Sequence, residues 1–214
     1  MLTTILNKIL LGISLAAPLG PVNIEIIKRG LAYGFWPAFS VRLGGAITNS
    51  VCLLIAYFSI GKLENNQPLI IFVSLVGCIV LVTMGIITIT KVIFKSELII
   101  NKISNLKSNT YSNNGILAGM LLSFISPIGL MFWLTTFVAS ITIDGTEKFC
   151  IKNLFVNFFI IIGVLIWGVI ISSLLHFGKK LINAKALKIV FGLSGILLIY
   201  FGIKYGLYYS IKIK

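Results

Sequence analysis

Acidic residues are scarce in this 214-residue chain: five Asp and Glu stand against 18 Lys and Arg. One histidine and three cysteines complete a thin stock of reactive side chains. Acid–base and covalent catalysis need a positioned base, an activated nucleophile or a metal. That requirement disfavours an intramembrane phosphatase or protease, since His176 ends a span and only one acid sits within or at the end of one. Cys52, Cys78 and Cys150 are odd in number and far apart, which excludes a disulfide framework and leaves them as small apolar fillers. No cofactor is expected.

Charge is scarce overall, at 11% of residues, whereas a soluble domain usually carries about 25%. Water cannot be the main solvent for such a surface. Hydrophobic residues make up 58%, and they arrive in blocks long enough to cross the hydrocarbon core, which needs about 20 apolar residues per helix. The blocks predict six spans, at about residues 4–27, 36–60, 69–90, 115–141, 153–176 and 187–209. The expectation is one multi-pass transmembrane domain over 1–214 in the cell membrane, with the lipid bilayer as its principal partner. A cytoplasmic linker would run from about 94 to 114. The first run ends in Leu15-Ala16-Ala17, resembling a signal-peptide cleavage site, but Pro18 follows it and Lys8 lies inside it, so the run is read as the first helix.

The net charge of +13 raises the question of nucleic acid. The basic residues sit between or beside apolar blocks, where they hold loops against anionic lipid, so nucleic acid is excluded as a partner. Ten basic residues accompany loops one, three and five and seven lie on the other side, which places those loops in the cytoplasm and both termini outside.

Ser14-Leu15-Ala16-Ala17-Pro18-Leu19-Gly20 aligns with Ser123-Phe124-Ile125-Ser126-Pro127-Ile128-Gly129, at an offset of 109 residues (127 − 18), about half the chain. With three spans per half, the second copy enters the membrane in the opposite direction, which is the pattern of an inverted repeat. The halves would cover about 1–93 and 115–211. In each copy Pro removes a backbone donor and Gly permits unusual dihedrals, so helices 1 and 4 are expected to break there. Freed backbone groups at membrane depth must be buried in protein or line a wet cavity. The breaks should therefore flank a central site that attracts carboxylate or ammonium groups. The fold class expected is all-α integral membrane, with six transmembrane helices in two inverted three-helix repeats.

Glu25, seven positions past Pro18, is the one acid within or at the end of a span, and so a candidate proton carrier or ammonium partner. The alternative is a helix-end carboxylate balanced by Lys28 and Arg29. Arg42, Gly45 and Asn49 share a helix face, since seven residues nearly complete two turns. Arg42 could pair with Glu25, receive a carboxylate, or snorkel to the interface. Trp133 and Trp167 lie inside spans, and Trp36 fits an aromatic belt.

Pro18-Leu19-Gly20-Pro21, then Val22-Asn23, then Gly30, Gly34 and a Gly-rich second span containing Gly44, followed later by Ser126-Pro127 with Leu130, Phe132 and Trp133, together resemble the lysine-exporter (LysE/RhtB-type) amino-acid exporter family. Asn49 stands where many members carry Asp, and Ser126 replaces the usual Asn. The resemblance implies export of amino acids or similar small solutes, driven by protons as the coupling ion. Pro18, Gly20, Pro21, Asn23, Glu25, Arg42, Gly45, Asn49, Ser126, Pro127 and Trp133 would be the substrate-binding residues. Monomer and homodimer both remain open. A related branch exports cadmium, but the spans lack the His clusters, acidic pairs or grouped thiols that soft or borderline ions prefer.

Overall fold

In the computed structural model, the described residues are 2–18, 20–63, 67–104, 114–125, 133–140, 151–177 and 184–213. All of their regular structure is helical. The helices are α1 (Leu2–Ala16), α2 (Pro21–Tyr33), α3 (Phe35–Leu63), α4 (Gln67–Ser104), α5 (Gly115–Ile125), α6 (133–140), α7 (Ile151–Phe177) and α8 (Ala184–Ile213). In hydrocarbon every backbone group must find an internal partner, and a continuous helix does this within one segment. Among the described residues three helices are long and apolar enough to cross a membrane, and the bent pair α1–α2 makes a fourth if it is one span.

The distribution of side chains supports a lipid surroundings. Exposed positions carry large apolar groups such as Phe72, Ile79, Phe155 and Ile196, while Lys8, Asn23, Arg42, Asn49 and Asn157 are buried. Water would favour the opposite arrangement.

The first span breaks where the sequence requires it. Pro18 cannot donate a backbone N–H and disfavours helical geometry at Ala17, so α1 stops at Ala16. Gly20 is extended, Pro21 begins α2 with its φ already suited to a helix, and the two segments meet at 79°. Gly34, at φ 91°, closes α2 by donating its N–H to the Gly30 carbonyl at 3.1 Å. Ser126, Pro127 and the expected second break lie outside the described residues.

The stretch expected as a linker from 94 is helical through Ser104. Neither Gly nor Pro occurs between Gly85 and Gly115, and apolar residues recur at helical spacing through Val92, Ile93, Leu98, Ile99 and Ile103. At 1.5 Å per residue, the 38 residues of α4 reach roughly 57 Å, well beyond the ~30 Å hydrocarbon core.

Packing pairs α1 with α7, α3 with α5 and α7, and α4 with α8. Glycines set the closest crossings. A Cβ on Gly12 would lie 2.0 Å from the Ile160 carbonyl oxygen, and one on Gly163 would lie 2.2 Å from that of Ile9. The α3–α5 crossing is built the same way, with Gly44 against Ile116 and Gly119 against Val41. Small residues let membrane helices approach until their backbones touch. Replacing Gly12 or Gly163 with Val should cost about 1–3 kcal/mol or more through overpacking. Thermal unfolding in detergent checks this, with Gly192→Ala, whose added Cβ meets nothing within 4 Å, as the control whose midpoint should not fall.

Candidate functional site

The break at Ala17–Gly20 frees the carbonyls of the last turn of α1. Asn23, in the first turn of α2 and 4% exposed, turns back and donates from Nδ2 to the oxygens of Ala16 (2.8 Å), Ala17 (3.1 Å) and Pro18 (2.6 Å). Its own Oδ1 accepts from an Nη of Arg42, and the same nitrogen reaches the Ala16 oxygen at 3.3 Å. Arg42 thus comes from α3 to lock the two halves of a broken helix together. Its aliphatic stem lies on Gly168 of α7, where any side chain would collide with it.

Arg42 is 4% exposed, its two hydrogen-bond partners are neutral oxygens, and its Nε has no partner among the described residues. One turn beyond Gly168, the fully buried Ser172 hydroxyl also lacks a hydrogen-bond partner among the described residues. A desolvated ion carries a penalty of several kcal/mol unless charge and hydrogen bonds compensate it. A guanidinium in this condition favours a planar anion, and a carboxylate fits its fork.

Glu25 pairs with Arg29, Oε1 to Nε at 2.7 Å, one turn along α2. The carboxylate that could have met Arg42 therefore lies on its own helix, because an i,i+4 step brings the two side chains together locally. Gly45 and Asn49 share the Arg42 face of α3, and Asn49 is 3% exposed. A Cβ on Gly45 would lie 3.3 Å from Ser123 Oγ and 3.6 Å from Val22, so this point of α3 has both α5 and α2 close by. Gly20 and Pro21 shape the entry to α2. Trp133 is half-buried against Phe137, ring centroids 5.4 Å apart. Trp36 is 74% exposed at the start of α3, and Trp167 is buried. Among the described residues no three His, Cys, Asp or Glu side chains gather as a metal site.

A second polar cluster was missed in the sequence. Lys8 of α1 is 3% exposed and donates to the Ser140 carbonyl (2.8 Å), Ser140 Oγ (2.6 Å) and Asn157 Oδ1 (3.0 Å). The available signal was a charged residue inside an apolar run, which is a functional candidate by default.

The LysE type translocator family model matches residues 13–209. A Bacillus subtilis (strain 168) protein named "Putative amino acid efflux protein YcgF" is 30% identical over 208 residues, covering 97% of this chain and 96% of that protein. No solved structure matches.

Asn23→Ala should leave the Ala17 and Pro18 oxygens without their side-chain donor and the Ala16 oxygen with Arg42 alone. The expected loss is about 2–3 kcal/mol, read as a lower unfolding midpoint in detergent and faster hydrogen exchange confined to the end of α1 and the start of α2.

Proposed function

The chain belongs to the LysE type translocator family, and on that premise we propose that it is a secondary exporter of amino acids or similar small polar solutes, driven by the proton motive force. It works by alternating access of two inverted three-helix halves in the cell membrane. The observation carrying this reading is the buried guanidinium of Arg42, attached to the break in the first span and without a carboxylate partner among the described residues. The substrate carboxylate occupies that position, with Asn23, Gly20, Pro21, Gly45 and Asn49 as the surrounding wall. An amino acid crossing the bilayer needs its carboxylate compensated, and a buried Arg supplies both charge and paired donors.

Two observations support the two-halves reading. The Ser-x-x-x-Pro-x-Gly motif recurs at an offset of 109 residues. Gly85 and Gly195, 110 positions apart, meet each other in the α4–α8 crossing, each facing the other's carbonyl oxygen. Six spans follow if α1–α2 and α5–α6 each form one broken span, beside α3, α4, α7 and α8. Pro127 then breaks the fourth span as Pro18 breaks the first, and Ser126 and Trp133 complete the site.

Export is measured by overproducing the chain, feeding dipeptides and identifying the amino acids that accumulate outside. Arg42→Gln should reduce export at least tenfold, about 1.4 kcal/mol or more of lost binding, while the protein remains inserted in the membrane. Arg42→Lys should recover only part of this, since a point charge does not reproduce the fork. Undiminished export by Arg42→Gln would overturn the assignment. Glu25 is the proposed proton carrier, so Glu25→Gln should abolish the pH dependence of export in loaded vesicles. Full pH dependence in that variant removes Glu25 from the role.

A further inference from the structure

The Lys8 cluster is separate from the Arg42 site. Asn157 and Gly168, which mark the two on α7, are eleven residues apart, roughly 16 Å along the helix axis. Three elements converge at Lys8: α1 carries the ammonium, Ser140 is the last described residue of α6, and Asn157 comes from α7. The polar atoms around Nζ are oriented as acceptors. Ser140 Oγ donates its proton to Asn157 Oδ1 at 2.9 Å, leaving its lone pairs for Lys8. Asn157 Nδ2 donates to the Asn153 carbonyl at 2.9 Å, which fixes the amide with its oxygen toward the ammonium.

A protonated amine offers three N–H donors, and among the described residues three oxygens receive them. A neutral amine keeps two donors, and its lone pair either faces an oxygen lone pair or takes the Ser140 hydroxyl proton away from Asn157 Oδ1, so one contact of the cage is lost either way. The cage therefore distinguishes the two protonation states by geometry.

We infer that Lys8 is a proton-operated latch: its ammonium pins α6 to the α1–α7 pair, and loss of the proton releases α6. The inference rests on the proton-driven exporter reading and supplies it with a second proton-handling group besides Glu25. In the release step an N–H bond of the ammonium breaks, its electron pair stays on nitrogen, and the proton passes to water. No second ionisable side chain lies on α1 or within 133–140. From α7, Lys152 and His176 flank the two ends of the helix, and His176 is far from Lys8, beside Gly34. From α8, which also packs on α1, the groups are Lys185, Lys188, Tyr200, Lys204, Tyr205, Tyr208, Tyr209 and Lys212, with Lys204 over the Tyr200 ring. Asp144, Glu147 and Lys148 follow α6 in sequence, outside the described residues.

The test uses the full chain in lipid nanodiscs, with the protection of the α6 amides, taken relative to their base-catalysed intrinsic exchange at each pH, followed from about pH 6 to pH 10. Wild-type protection in α6 should fall as pH rises, and Lys8→Gln should show low protection that does not change with pH. Asn157→Asp places an anion beside the ammonium and should raise the transition by about one pH unit or more. It also serves where Lys8→Gln does not fold. A wild-type α6 that ignores pH, a Lys8→Gln protein with the wild-type response, or an unmoved transition in Asn157→Asp each overturns the latch. Counterflow of labelled amino acids in proteoliposomes separates this from the parent reading. Absent counterflow with an intact pH response in α6 defeats amino-acid export and leaves the latch standing. Normal counterflow without that response does the reverse.

Discussion

A carbonyl oxygen stranded in hydrocarbon costs several kcal/mol, and the first span frees the carbonyls of the last turn of α1 when it breaks at Pro18, those of Ala16, Ala17 and Pro18 among them. Much of what surrounds the break follows from that cost. Asn23 covers all three oxygens with one amide. Covering them directs the Asn23 oxygen toward α3, where it meets Arg42. The stem of Arg42 then requires Gly168 on α7, the one residue type that leaves room for it. A backbone fault in one helix thus recruits side chains from three elements, and the buried cation this brings in gives the site its chemistry.

The parts of this arrangement differ in how far sequence alone reveals them. The break itself was legible, because proline's missing donor and fixed φ act locally and leave little choice. The common face of Arg42, Gly45 and Asn49 was legible too, being a matter of helical period. Asn23 as the group that satisfies the break was not, since its role depends on a 79° turn that folds α2 back on α1. Glu25 was weighed against two cations, and a partner four residues away on the same helix took it. Lys8, although inside the first apolar run, counted in the sequence only against a signal peptide and as one of the seven basic residues on the outer side. Its acceptors lie 132 and 149 positions further along the chain, beyond anything local pattern can indicate. The length of α4 was underestimated because polar residues were read as a stop, whereas the punctuation that ends helices, Gly or Pro, is missing there.

The electrostatic character of the interior also emerges only with the fold. The charged side chains buried among the described residues, Lys8, Arg29 and Arg42, are all cationic, and the half-buried Glu25 is taken by Arg29. Around Lys8 and Arg42 the partners among the described residues are neutral oxygens, which can surround a cation without requiring a second desolvated ion.

The glycine crossings bear on which parts can travel. Where Gly12 meets Gly163, and where Gly44 meets Ile116 and Gly119 meets Val41, main chains rest against each other without intervening side chains to slide or repack. Shear along such a seam would drive one carbonyl ridge over another, so each couple behaves as a single girder. Any rocking of this molecule is then a displacement of girder against girder, with the bending confined to the unwound residues between α1 and α2 and to the left-handed Gly34.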